Sequence, residues 1–589
     1  MSNSLRHTAI WLVAAFAFSP ASQAIVGSNS GPNAFNGLYI NEHVGAGTFY
    51  SMGFGGQGAI VANIEAGAIW NGHETLSHVT TVFHADSPGT QLGQADWHAT
   101  MVGHVLGGRG IYTYQDGIAP LAELWSGSIA TQWVSEGFDY TGSFSTTSAS
   151  VESAYRTALV TGINGQFARV VNSSWGYPDP YGDSSRAVFV DALLRSSGAV
   201  GVFAAGNSGP SAGSVGAPAS GFNGISVAAL GSDTSSPPFG TVAEFSSRGP
   251  QPFFNPATNR IEGSRPGIDI AAPGTNMNLA FYGGLTGGHL TGIDPTAGSG
   301  LYYVPNMDGT SFAAPIVAGG AALLAGAAEA FGVPDMDHGL VIKSVMMTGA
   351  AKPAGWDNGQ QVVDGVTQTT QALDHSTGSG ALDLDATYRV FIGDPAQIDG
   401  LTVGGLNTQL GVPGLSGGTV DSRGWDLGSV AADRPSVYFF SDTFEAGNRL
   451  TATLNWFADR FGDLLSSAEE RRLADLSLEL RRLVGTDEIL VARSDAPAST
   501  VEHFALTIPE TGLYVLRVTL DGYTFDLAPD PFSSETTYAV SWNMVAIPEP
   551  GVLWLGGLAL VICLAKHRLS RKSTARALRH RPCPPAQSA

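Results

Sequence analysis

Residues 307–324, M-D-G-T-S-F-A-A-P-I-V-A-G-G-A-A-L-L, constrain the fold more than any other stretch of this chain. After a Gly-Thr-Ser turn the residues are almost all small and apolar, with Ala313, Ala314, Ala318, Gly319, Gly320, Ala321 and Ala322 in close succession. A helix of that composition is slim and apolar on every side, so it is expected to thread a core and not to lie on a surface. Ser311 stands at its head. A hydroxyl there feels the positive end of the helix dipole, and Gly309 permits the tight turn that presents it, which suits a nucleophile. A helix-capping serine shows the same local pattern, so this stretch alone leaves both roles open.

The segments before it alternate between strand and helix. Ala59 to Ile64 and Ala199 to Asn207 are apolar runs of the kind buried in a parallel sheet, Ala168 to Gly176 is a strand ending in small polar residues, and Ser185 to Ser197 reads as a helix between them. This order predicts a mostly parallel α/β sheet flanked by helices, with the site on the loops that follow the strands. Three side chains fall at such places. Glu65 closes the first strand, and Asn207 follows Ala-Ala-Gly after the third. His98 begins a helix-like stretch in which Ala99 and Gly103 leave its ring room. Each has an ordinary alternative: a solvated strand-end acid, a turn-forming Asn, a structural His. His73, His78 and His104 are read as structural or merely exposed.

At 589 residues the chain is long enough for two folded units plus targeting ends. Residues 1–24 carry one basic residue, Arg6, then an apolar stretch and the small residues Ser22 and Ala24, the pattern of a secretory signal peptide. At the other end Pro548-Glu549-Pro550 precedes a short apolar span, Gly551 to Ala565, and a basic tail from Lys566. Both cysteines, Cys563 and Cys583, lie in this last part, so the body is expected to have neither disulfides nor thiolate metal sites. Without Arg6 and the seven tail cations the formal charge falls from −21 to −29, which repels phosphate backbones and argues against a nucleic-acid partner.

Taken together these pieces resemble the subtilisin-like serine proteases over most of 59–385. H-A-T-M-V-G at His98 is similar to that family's histidine motif, and G-T-S-F-A-A-P at Gly309 to Pro315 to its serine motif. N-S-S-W-G (172–176), A-A-G-N (204–207), F-S-S-R-G-P (245–250), D-I-A-A-P-G (269–274) and T-G-S-G-A-L-D (377–383) follow in family order. The order acid, histidine, serine is the subtilisin one. The resemblance implies a catalytic domain at 59–390 after an N-terminal extension at 25–58. It makes Ser311 the nucleophile, His98 the general base and acid, and Asn207 an oxyanion donor beside the Ser311 N–H. Ser174, Trp175 and Gly176 become the strand that pairs with an extended polypeptide substrate. Gly216, Ala217 and Trp175 would line an apolar groove.

Where the family reads Val-Ile-Asp-x-Gly, this chain reads Asn63-Ile64-Glu65-Ala66-Gly67, so Glu65 takes the place of the orienting Asp. The competing reading is a pseudoprotease that holds peptides without cutting them. No cofactor is expected. Structural Ca²⁺ is an implication of the family without an identified site, and a monomer is expected. The C-terminal order resembles the PEP-CTERM sorting signal of Gram-negative bacteria. That signal, at 546–589, implies export to the envelope or beyond, transient anchoring by its short apolar span, and processing machinery as a partner.

After a Gly-rich linker at 391–421, alternating apolar residues return. Ser436 to Phe440, Leu450 to Trp456, Asp475 to Leu480, Ile489 to Arg493, His503 to Ile508, Leu513 to Leu520 and Thr537 to Asn543 predict an antiparallel β-sandwich over 422–545. The charged stretch Ser466 to Arg472 is expected to be a helical turn or loop. The unit has a weak resemblance to pre-peptidase C-terminal domains.

Overall fold

The computed structural model describes residues 34–35, 38–84, 94–110, 115–134, 143–231, 237–283, 287–288, 303–393, 417–529 and 535–546. The signal-peptide stretch, most of the Gly-rich linker, the C-terminal sorting stretch and both cysteines lie outside the described residues.

Seven strands form one parallel sheet: β1 (Ile60–Glu65), β2 (Thr81–His84), β3 (Glu123–Ser128), β4 (Val170–Ser173), β5 (Val200–Ala204), β6 (Ile225–Leu230) and β7 (Ile270–Pro273). They lie in the order β7-β6-β5-β4-β1-β3-β2, and every neighbouring pair is parallel. Strands β1, β4, β5, β6 and β7 are buried at every residue, which is why they read as continuous apolar runs and not as alternation. Asn63 and Asn172 are the polar exceptions at the centre, and they answer one another, the Asn172 amide donating to Asn63 Oδ1 at 2.9 Å. The fold is therefore the subtilisin-like α/β sheet with helices that the sequence suggests.

Five helices matter for the site: α1 (Trp97–Gly107), α2 (Ser185–Ser197), α3 (Thr310–Phe331), α4 (Gly339–Gly349) and α5 (Leu384–Ile392). Helix α3 is long and apolar enough to cross a membrane by length and composition, yet 94% of its apolar window is buried inside the protein. Its glycines explain how it fits: a Cβ on Gly319 would meet Ile118 at 2.5 Å, and one on Gly326 would meet the Gln57 carbonyl at 2.6 Å. Residues 40–58, set apart by the sequence as an extension, pack on this body. Phe49 stacks edge-on to Tyr388 of α5 at 4.8 Å, and Thr48 Oγ1 donates to Asp385 at 2.7 Å.

The C-terminal strands form a four-stranded sheet of β11 (Arg423–Ala431), β13 (Arg449–Trp456), β17 (Val501–Thr507) and β19 (Glu535–Val545). A larger sheet faces it, containing β10 (Gly417–Val420), β12 (Ser436–Phe440), β14 (Asp459–Phe461), β15 (Glu469–Val484), β16 (Asp487–Ser494) and β18 (Leu513–Asp526). Between the two, Leu454, Trp456, Leu478, Leu516, Tyr538 and Trp542 make a second apolar core, as a β-sandwich requires.

One expectation is corrected here. Ser466 to Arg472 is not a helical turn or loop throughout: only Leu465–Ser467 form a 3₁₀ turn, and Glu469 to Arg472 already belong to the 16-residue β15. They pair with Asp459 to Phe461, and Arg472 is held by Asp526 at 2.8 Å, so their charges are matched across strands. The sandwich is antiparallel as expected, save for two parallel pairs at the edges of the larger sheet. A hairpin from the preceding unit, β8 (Gln361–Val363) and β9 (Val366–Thr369), joins its edge with β9 parallel to β16, and β10 runs parallel to β12.

Candidate active site

Helix α1 begins with a polar cap two residues before His98. Asp96 has extended backbone angles (φ −133°, ψ 133°), and its carboxylate accepts from the N–H groups of His98 at 3.1 Å and Ala99 at 3.3 Å. This fixes the backbone of His98 at the helix start. The imidazole lies in the cleft, 24% exposed, and its Nδ1 donates to Glu65 Oε2 at 3.1 Å. That bond leaves Nε2 as the basic nitrogen.

Glu65 is 1% exposed at the end of β1, and its second oxygen accepts from the Ser174 N–H at 2.6 Å. The longer side chain thus reaches His98 and Ser174 together. On His98, burial disfavours the charged ring, but the hydrogen bond and charge of Glu65, with Asp96 behind them, outweigh it and raise its pKa above the ordinary value. Burial pushes Asp96 itself up to about 6.

Ser311 is the second residue of α3, whose cap is Gly309, so it is not a capping serine. Its Oγ donates to the Ser174 carbonyl at 3.1 Å, while Ser174 Oγ donates back to the Ser311 carbonyl at 2.9 Å. Pro315 makes the second bond possible: it has no N–H to give the carbonyl four residues earlier, so Ser311 O stays open for Ser174. Phe312, the next residue, brings its ring within 6.0 Å of the His98 ring.

Asn207 follows β5 and is exposed. Its Oδ1 accepts from both the N–H (3.0 Å) and Oγ1 (2.9 Å) of Thr310. With the oxygen so used, Nδ2 is the free end, and it faces Gly309, where an added Cβ would stand 3.6 Å from it. A side-chain donor and the N-terminal turn of α3 therefore converge beside Ser311.

Of the three residues expected to meet substrate, Ser174 is buried, with both its N–H and its carbonyl engaged inside the site. Trp175 is fixed by its indole N–H to the Ile64 carbonyl at 2.9 Å and stacks on Tyr177 at 6.4 Å. Gly176 is exposed, and a Cβ there would meet the Ala217 carbonyl at 2.8 Å, so this stretch must be glycine for Tyr177 and Ala217 to pair. Gly216 and Ala217 lie against Tyr177, but Ala217 is fully buried, so it does not line a groove as expected. Asp96 and Pro315 were not singled out in the sequence, although an Asp two residues before a helix-starting His is a legible cap signal. His104 and His73 are fully buried, with ring nitrogens bonded to the Gln115 carbonyl and Thr75 Oγ1 at 3.1 and 2.9 Å. Among the described residues no group of three or more His, Cys, Asp or Glu could hold a metal ion.

A serine at the head of a buried helix, a histidine bonded to a buried carboxylate and a side-chain amide thus gather at the C-terminal edge of a parallel sheet, the groups that a serine hydrolase of α/β architecture needs. The subtilase-family profile (Peptidase S8) matches residues 56–380, more than half of the chain. This chain belongs to the subtilase family, whose members are serine protease hydrolases. Among solved structures, a chain described as S41 Psychrophilic Protease is similar at 22% identity with a TM-score of 0.37, over 56% of this chain and 92% of that one. No curated protein matches.

Proposed function

We propose that this chain is an exported serine endopeptidase that cuts extended polypeptides through an acyl-enzyme, with Glu65 in the role usually given to Asp. The observation that carries this reading is the double contact of Glu65, to His98 Nδ1 and to the N–H of Ser174, the residue that also holds Ser311. Substrate, paired along Trp175 and Gly176, displaces the Ser311 hydroxyl from the Ser174 carbonyl and turns it to His98 Nε2. Nε2 takes the proton as Oγ attacks, Glu65 stabilises the imidazolium, and the Asn207 amide with the Ser311 N–H receives the oxyanion. The imidazolium then gives its proton to the leaving amine. Water repeats the sequence on the acyl-enzyme.

The two ends of the chain support export, a transient anchor and processing at the envelope, and the acidic body favours polypeptides over nucleic acid as partners. A fluorophosphonate probe is expected to label Ser311 in the purified protein at neutral pH, and Ser311→Ala to abolish the label. An unlabelled parent that still binds peptides would support the pseudoprotease reading instead.

Because Nε2 must be neutral to accept a proton, a raised His98 pKa moves the acid limb of kcat/KM to higher pH. Activity climbs as pH rises through that pKa. Asp96→Asn removes one of the two negative groups acting on the ring, so the limb is expected to move to lower pH. Burial lifts Asp96 to about 6, so protonation of its carboxylate on the acid side should also broaden the parent limb. A cap with only a structural role would instead lower kcat/KM at every pH without moving the limb.

A further inference from the structure

We propose that a cavity beside the turn carrying Ser311 selects a basic side chain, lysine or arginine, on the leaving-group side of the scissile bond. The proposal rests on the peptidase reading above. Along its C-terminal edge the central sheet presents Glu65 at the end of β1, Ser174 after β4, Asn207 after β5, Gly231 after β6 and Thr275 after β7. The catalytic groups occupy the first three of these places. A cavity of about 390 Å³ occupies the last two, walled by Gly231, Glu244, Phe245, Thr275, Asn276 and Asp308.

This cavity and the nucleophile share one turn. Asp308 lies three residues before Ser311, and the Gly309 N–H donates to the Gly274 carbonyl at 2.9 Å, tying the turn to the end of β7. An extended chain whose acyl part lies on Trp175 and Gly176 crosses Ser311 and Asn207, and its leaving-group residues are carried toward β6 and β7. What they meet is acidic. Among the described residues the cavity is lined by Glu244 and Asp308 and by no lysine, arginine or histidine. Asp308 is fixed in place, because one of its oxygens accepts from the Asn276 N–H at 2.7 Å where that residue takes a left-handed turn (φ 55°).

A second observation is independent of the acids. Thr275 is only 8% exposed and its Oγ1 is buried without a hydrogen-bond partner among the described residues, on the wall of this same cavity. A buried hydroxyl left open is costly unless something supplies a partner, and a ligand N–H would do so. Half-buried Phe245 offers an apolar face to the methylene stem of a long cationic side chain, whose charged head then sits with the carboxylates. Lysine and arginine combine stem, charge and N–H donors in one group.

The test uses matched fluorescence-quenched peptides and the purified full chain. The acyl side is constant, and Lys, Arg, norleucine or Glu is placed in turn at successive leaving-group positions. At one position Lys and Arg are expected to exceed norleucine in kcat/KM by roughly fivefold, with Glu the poorest, a size suited to partly exposed ion pairs. The preference should shrink at about 0.5 M salt. Glu244→Gln with Asp308→Asn should bring the Lys to norleucine ratio close to one. Glu244→Gln alone, at an exposed position, should remove part of the preference, which guards against misfolding of the double variant. A flat profile in a parent that labels with fluorophosphonate would overturn this proposal alone, as would a ratio unchanged in both variants. A parent that fails to label would overturn the peptidase reading and this proposal with it.

Discussion

Replacing Glu65 by aspartate, the residue carried by the family motif, is expected to slow peptide hydrolysis by about 100-fold, not to accelerate it. The carboxylate of Glu65 already meets both of its partners, His98 Nδ1 at 3.1 Å and the Ser174 N–H at 2.6 Å, from a strand end that is wholly buried. Shortening the side chain by one methylene withdraws the carboxylate by about a bond length, and the neighbouring strands β3 and β4 hold β1 too firmly to follow. Two donors then lose their acceptor. An orphaned buried N–H at Ser174 costs a further ~1–3 kcal/mol of stability. Glu65→Gln keeps the length but not the charge, and it permits the wrong imidazole tautomer, so kcat should fall by about 10⁴. Steady-state kinetics on a chromogenic peptide, with urea unfolding alongside, decide the matter. An aspartate variant as fast as the parent would mean that the strand, and not the side-chain length, sets the contact.

Cutting the chain after Gly393 is expected to leave no soluble, folded enzyme. The sequence suggests a boundary near 390 and a linker before a separate β unit, but the two share buried surface on three fronts. Every residue of α4 is buried, and its hydroxyls reach into the β-sandwich: Ser344 to Ser541 at 2.6 Å and Thr348 to Thr453 at 2.7 Å. The Trp425 indole donates to the Phe391 carbonyl at the end of α5, at 2.9 Å. On the third front Arg460, 2% exposed, donates to Asp191 of α2 at 2.7 Å and pairs with Glu470. Asn223 completes this contact by exchanging two hydrogen bonds with the main chain of Ala458.

Arg460→Ala offers a graded version of the same test. It strands Asp191 and Glu470 without their cation, a change expected to cost about 3–5 kcal/mol in urea unfolding at neutral pH. Asp191 also accepts from the N–H groups of Phe222 and Asn223. Peptide turnover should therefore suffer in proportion to the folded fraction lost. A truncated protein that remained folded and active would show the β unit to be an appendage.

Much of this could be read before any coordinates. The alternation of buried apolar runs with helices dictated a parallel sheet, because strands covered on both faces cannot alternate in polarity. The composition of 307–324 dictated a core helix, since only small side chains let α3 pass within reach of the Ile118 side chain and the Gln57 carbonyl. In the β region the strand positions followed from period-two alternation. The first residues of β15 did not, because they are charged, and what pairs them is the short strand Asp459–Phe461, joined at Arg472 by Asp526 from more than 50 residues away.

The sequence by itself determined which chemical groups are present and where along the chain they stand: Glu65 at a strand end, Asn207 on the loop after a strand, and His98 and Ser311 at helix starts, all places that a parallel sheet gathers at one edge. Only the tertiary structure decided how they meet. Whether a glutamate can serve depends on a distance set by packing between β1 and β4, and a sequence carries no such distance. The same holds for the Ser174 clasp on Ser311 and for the burial of Arg460 between the two units. Each joins residues from far apart in the chain, and only the close packing of the folded protein brings them into contact.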